Sequence, residues 1–143
     1  MRPLTLSSAK EEQPNPMKTD QELSRLLDIV TTLRGDQGCP WDKKQTPLSM
    51  KKYLLEECRE LAEALEKEQP QDICEEIGDL YFILAMLSVM YTEKQSFGPL
   101  DPLRSSCEKM IRRHPHVFAD AVYSDEAELR SQWERIKKEE KSA

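Results

Sequence analysis

The chain has 143 residues, 38% of them hydrophobic and 34% charged, with a net charge of −6 and an isoelectric point near 5.1. That length suits a single domain with a useful core, and the acidic balance argues against a nucleic-acid polymer as the main ligand, because polyanions are held on basic faces. No apolar run approaches the roughly 20 residues of a membrane span, residues 1–18 carry no apolar signal core, and Cys39, Cys58, Cys74 and Cys107 form no CxxC pair, so reduced thiols in a cytoplasm are expected rather than a zinc site or disulfide framework.

With only 4 glycines, and most of the 9 prolines outside the periodic segments, the composition favours helices. Residues 1–18 contain Pro3, Pro14 and Pro16 without periodicity and read as a flexible extension; residues 19–143 read as one helical domain. Thr19 to Glu22 has the form of a capping box, and Leu23, Leu26, Leu27, Val30 and Leu33 recur at helical spacing as far as Gly35. Gly35 to Pro47 is predicted as a loop carrying the unusual run Gly38-Cys39-Pro40-Trp41-Asp42. Thr46 and Pro47 then supply an N-cap and a first helical position for a helix to about Lys67, with Leu54, Cys58, Leu61 and Leu65 inward.

Pro70 restarts the chain after a tight turn, and Ile73, Ile77, Leu80, Leu84, Leu87 and Tyr91 form an apolar stripe along the next helix. Gln95 to Leu100 is a second loop, and Asp101-Pro102 opens a helix that holds Leu103, Cys107, Met110 and Ile111 inward. His114-Pro115-His116 ends it, because proline disfavours helical geometry in the residue before it. Ser124 or Asp125 starts a last helix with Leu129, Trp133 and Ile136 inward. No strand or internal repeat is evident. The expected fold is all-α, an antiparallel bundle of four to five helices.

Two of these helices carry acids in a pattern with chemical content. Residues three apart on a helix lie about 60° apart around its axis, so Glu57 and Glu60 share a face, as do Glu76 and Asp79. Across the hairpin, Glu57 and Asp79 are equidistant from position 68, and so are Glu60 and Glu76, which puts each pair at one level. Carboxylates gathered without partners repel and resist ionisation. A hard divalent cation removes that penalty, and Mg²⁺ takes oxygen ligands while keeping waters that substrate can replace. Gly78, costly inside a helix, is expected to permit close helix approach or to leave room for the ion. With 27 acidic residues in the chain, glutamates on a solvated face are the competing reading. A ferritin-like di-iron site would need Glu-x-x-His pairs, whereas His114 and His116 follow Ile111 and Arg113 at that offset.

These segments together resemble the MazG family of nucleotide pyrophosphohydrolases, within the all-α NTP pyrophosphatase superfamily. The similarity covers roughly Gln21 to Lys138 and runs through five blocks in order. They are Gly38 to Thr46, Leu55-Glu56-Glu57-Cys58-Arg59-Glu60, Glu75-Glu76-Ile77-Gly78-Asp79-Leu80, Lys109 to Phe118, and Trp133-Glu134-Arg135-Ile136-Lys137. The resemblance implies that Glu57, Glu60, Glu76 and Asp79 are Mg²⁺ ligands, with Mn²⁺ a possible substitute. It implies that Lys109 and Arg113 contact phosphates and Trp133 the nucleotide. It further implies cleavage between the α- and β-phosphates by a homodimer or higher homo-oligomer. Many members carry this domain twice in tandem; one copy is present here.

Glu56, beside the ligand turn, is the candidate catalytic base or the group that orients the attacking water; an exposed glutamate without a role is the alternative. Lys109 and Arg113 lie four apart on one face and could offset triphosphate charge; apart from the resemblance, solvated surface cations are the alternative. Trp41 either covers the site or lies beneath it. The expected partner is a small nucleotide, with neither nucleic-acid polymer nor membrane involved. Two other functions compete: a relative specific for dUTP, dCTP or phosphoribosyl-ATP, and a non-catalytic helical dimer that binds nucleotides or proteins.

Overall fold

The structure, a computed structural model, describes residues 16–143; residues 1–15, and with them most of the expected extension, lie outside the described part. Seven helices and no strand are present among the described residues: α1 (Pro16–Leu33), α2 (Pro40–Lys44), α3 (Pro47–Lys67), α4 (Pro70–Glu93), α5 (Asp101–Arg113), α6 (Pro115–Phe118) and α7 (Glu126–Ser142).

Local chemistry explains most of the boundaries. Thr46 caps α3 by accepting a hydrogen bond from the Ser49 amide, while the Ser49 hydroxyl accepts one from the Thr46 amide, a reciprocal pair that satisfies two donors at the helix start. Pro47 and Pro70 occupy first-turn positions, where a missing amide hydrogen costs nothing. Between them Glu68 takes a left-handed conformation at φ 54°, the usual way to stop a helix and reverse the chain. Asp125 caps α7 through the Glu128 amide.

Helices α1, α3 and α4 run up, down and up, and α4 packs against both others. Their shared core is Val30, Met50, Ile83, Ala85, Met86, Val89 and Met90, with Leu26, Leu27, Tyr53, Leu54, Phe82 and Leu87 against it. Four of the seven buried positions lie in the segment from Ile83 to Val89, so burying this face is what ties α4 into the group. Arg34 fastens the open end: it is bidentate to Glu93 at 2.8 and 2.9 Å and donates to the carbonyls of Asp42 and Gln45. Its side chain is 10% exposed, whereas that of Glu93 is 44% exposed, so solvent reaches the pair from the carboxylate side. Helices α5 and α7 form a second group, packed on each other.

Several expectations are corrected. Helix α1 starts at Pro16, ahead of the expected cap at Thr19, and Glu22 pairs forward with Arg25. The extension boundary drawn at residue 18 therefore falls inside α1. The first loop contains α2, too short to show any period. On α3, Cys58 and Leu65 face outward, while Met50 and Ala64 are buried. The stripe read on α4 is partly an outer face: Ile77 and Leu84 are exposed, and burial falls on Ile83, Met86, Val89 and Met90. On α5, Leu103, Cys107, Met110 and Ile111 are exposed. A Cβ at Gly78 would meet nothing within 4 Å, so within one chain no close helix approach depends on that glycine. All four cysteines are free. Among the described residues no helix is long and apolar enough to cross a membrane.

Candidate metal centre and active site

Helices α3 and α4 are the two longest, and the hairpin between them fixes their register. That register brings one carboxylate oxygen each from Glu57, Glu76 and Asp79 to within 4.8 Å of one another. Glu57 and Glu76 are half-buried, and each keeps its Oε2 out of water with no hydrogen-bond partner. Glu60 adjoins them closely enough that its charge acts on both. No ion pair among the described residues involves any of these four acids.

The electrostatic consequence is direct. Burial, then the neighbouring charges of Glu60 and Asp79, push Glu57 up from 4.5 to about 7. Glu76 is raised for the same reasons, burial first. A group of acids with shielded, unpartnered oxygens is an unstable arrangement for a metal-free protein. It fits a hard cation, which would accept those lone pairs and cancel the repulsion. Glu56, the candidate base, points from the next face of α3 and is exposed.

The other candidate residues assemble elsewhere. Arg113 lies over the Trp133 ring at 5.3 Å, and His114 meets that ring edge-on at 5.1 Å. Lys109 is half-buried one turn before Arg113. This cluster belongs to the α5–α7 group, which does not pack substantially on α3 or α4. Thus the acids meet one another and Arg113 meets Trp133, on two helix pairs that pack little on each other. Trp41 packs edge-on against Tyr53 at 5.4 Å over the first turns of α3, a turn before Glu57. It is 39% exposed.

The loop before α3 has a mainly structural task. The Cys39 amide donates to the Leu33 carbonyl at 2.8 Å, and a Cβ at Gly38 would stand 2.2 Å from that same oxygen. Only glycine permits so close an approach. Sequence reading passed over Arg34 and Glu140, whose partners are far away in the chain and leave no local signal.

Fold and site define a class: an all-helical protein with a carboxylate centre between two antiparallel helices. Residues 45–118 match the family model described as the MazG nucleotide pyrophosphohydrolase domain. The chain belongs to the MazG family. It is 43% identical over 121 residues to the uncharacterized protein YabN of Bacillus subtilis, covering 85% of this chain and 25% of that protein. It is likewise 43% identical over 117 residues to the nucleoside triphosphate pyrophosphohydrolase/pyrophosphatase MazG of Thermotoga maritima, covering 81% and 44%. The chain thus spans between a quarter and half of these relatives. The crystal structure of a mazG-related protein from Thermotoga maritima superposes with a TM-score of 0.66 at 29% identity, covering 80% of this chain and 98% of that one.

Proposed function

We propose that the chain is a Mg²⁺-dependent nucleoside triphosphate pyrophosphohydrolase that cleaves between the α- and β-phosphates, releasing nucleoside monophosphate and pyrophosphate. The observation that carries this reading is the Glu57, Glu76 and Asp79 trio with its shielded, unpartnered oxygens. It is supported by family membership and by the names of the pyrophosphohydrolases to which the chain is similar. In this reading Glu57, Glu60, Glu76 and Asp79 hold the cation. When bound, the cation neutralises triphosphate charge and lowers the pKa of a coordinated water. Glu56, on the exposed rim beside the trio, takes the water's proton. Lys109 and Arg113 bind phosphate oxygens, and Trp133 flanks the nucleotide.

The reading also requires a homo-oligomer, because in one chain the bases stand apart from the acids. The outer face of the α3–α4 hairpin exposes Leu55, Ile77, Tyr81 and Leu84, and the α5–α6 segment exposes Ile111, Val117 and Phe118. Apolar faces of this kind mark association surfaces. A second copy that covers them also brings its own basic group toward the acids.

The test is direct. Purified protein with Mg²⁺ is given a panel of NTPs and dNTPs, and monophosphate and pyrophosphate are both quantified. Equal yields of the two are expected. Orthophosphate with a nucleoside diphosphate would refute α–β cleavage, and absence of turnover would favour a nucleotide-binding helical dimer.

A further inference from the structure

Helices α5 and α7 are joined at one carboxylate. Glu140 accepts hydrogen bonds from Arg112 Nε at 2.7 Å, from Arg113 Nη2 at 2.8 Å and, more weakly, from Arg113 Nε at 3.4 Å. Arg113 and Glu140 are 16% and 20% exposed, so the contact is mostly shielded from solvent. The Arg113 guanidinium lies at the same time over the Trp133 ring.

A guanidinium offers five N–H donors in a rigid plane. Glu140 takes the edge made by Nε and Nη2, while Nη1 has no protein acceptor among the described residues. With its Cζ over the Trp133 ring and one edge held by Glu140, the group is oriented so that the end it leaves free is the Nη1 end. The local charge stays positive, because Arg112 and Arg113 outweigh Glu140, and Lys109 adds to it one turn earlier. The two arginines hold the Glu140 carboxyl down to about 2, Arg113 contributing most, so it stays ionised at neutral pH.

We propose that Glu140 is a positioning residue for triphosphate binding, holding Arg113 over Trp133 with its Nη1 end left free for phosphate oxygens. This rests on the reading of Arg113 as a phosphate contact. The competing role is a staple that only joins α5 to α7. A positioning residue acts through Arg113, whereas a staple also acts through Arg112 and through helix packing.

Binding of inorganic tripolyphosphate in the presence of Mg²⁺, measured by calorimetry on the full chain, separates the two without requiring turnover. Four proteins are compared: wild type, Glu140→Gln, Arg113→Ala and the double variant. Glu140→Gln is expected to weaken binding roughly tenfold, the scale of one charge-assisted hydrogen bond, and also to lower the Tm at neutral pH, where the ionised carboxylate stabilises the fold. Arg113→Ala is expected to weaken it at least as much. The double variant is expected to be no weaker than Arg113→Ala, since a group that acts through another adds nothing once that other is gone. Glu140→Asp keeps the charge on a shorter arm, should recover part of the loss, and serves in place of Glu140→Gln if that variant does not fold.

The proposal is overturned if Glu140→Gln binds within twofold of wild type or more tightly. It is equally overturned if the two losses multiply, or if neither wild type nor Arg113→Ala binds measurably. The hydrolase reading fails on different grounds, by absence of turnover in a protein that still binds tripolyphosphate.

Discussion

A carboxyl group with an oxygen shut off from water keeps its proton to higher pH, and Glu57 is raised to about 7 from 4.5. The folded chain therefore binds that proton more tightly than the unfolded chain does. Stability from this group is fully present below pH 4.5, declines as pH rises, and is lost above about 7. Glu57→Gln removes the titration, so the metal-free variant is expected to unfold at a higher temperature than metal-free wild type at pH 8, by about 3 °C. At pH 5 the two should nearly coincide. Mg²⁺ should raise the Tm of wild type at pH 8 and raise that of the variant much less, because a ligand that binds only the folded state stabilises it in proportion to its affinity. Thermal scans at the two pH values, with and without the ion, check all three statements. Equal metal-free melting at pH 8 would mean that Glu57 carries no electrostatic penalty. Activity offers a second measure: Asp79→Ala should lower Mg²⁺-dependent turnover roughly 100-fold, and a variant with full activity would remove the trio from the chemistry. At acid pH the sign reverses for Glu140, whose carboxyl is held at about 2 by Arg113 and Arg112. Its contribution is present above pH 4.5 and is lost as pH falls toward 2.

Helix ends were legible where a side chain or a proline makes them, but an apolar face alone did not tell which side is covered: the set read as inward on α5 is exposed. Thr46 and Asp125 cap the amides three residues on, and Pro47, Pro70 and Pro102 suit a first helical turn, so sequence reading placed these starts correctly. The acid register was readable for a similar reason: helical period and a short turn fix it, and both are local. Helix α4 defeated the same approach because it is apolar on more than one side, and no period in its sequence distinguishes the face covered by α1 and α3 from the face left outside. The Arg113–Glu140 pair was invisible because 27 residues and a loop separate its members. Two substitutions test the local arguments. Glu68 sits in left-handed geometry at φ 54°, where a β-carbon costs about 1 kcal/mol, so Glu68→Gly should raise the Tm by about 3 °C. An unchanged or lower Tm would show that the turn prefers a side chain. Gly38→Ala should destabilise by about 1–3 kcal/mol, the range for forcing added atoms into a filled space, because its Cβ would collide with the Leu33 carbonyl. Denaturant midpoints measure both.

The proposed site draws its residues from two helix groups of the chain, and that bears on assembly. Acids on the α3–α4 hairpin, bases on the α5–α7 pair, and apolar residues exposed on both would be satisfied together if a second copy supplied the missing half. Gly78 lies in the same stretch of α4 as exposed Ile77 and Tyr81, and it gives an independent reading of whether that face is covered. On a bare face Gly78→Ala should stabilise by up to about 1 kcal/mol through helix propensity. Under a closely packed partner helix it should instead weaken association. The sharper measurement mixes two inactive chains, Asp79→Asn and Arg113→Ala, by co-expression with different tags. If acids and bases meet only between copies, a mixed two-fold dimer holds one site with both lesions and one site with neither. Random pairing makes half the dimers mixed, so activity should return to about a quarter of wild type. If each chain used its own bases, every site would carry a lesion and the mixture would stay inactive. Half of wild-type activity in the purified doubly tagged fraction would therefore identify the α5–α7 group of one copy as part of the site on the other.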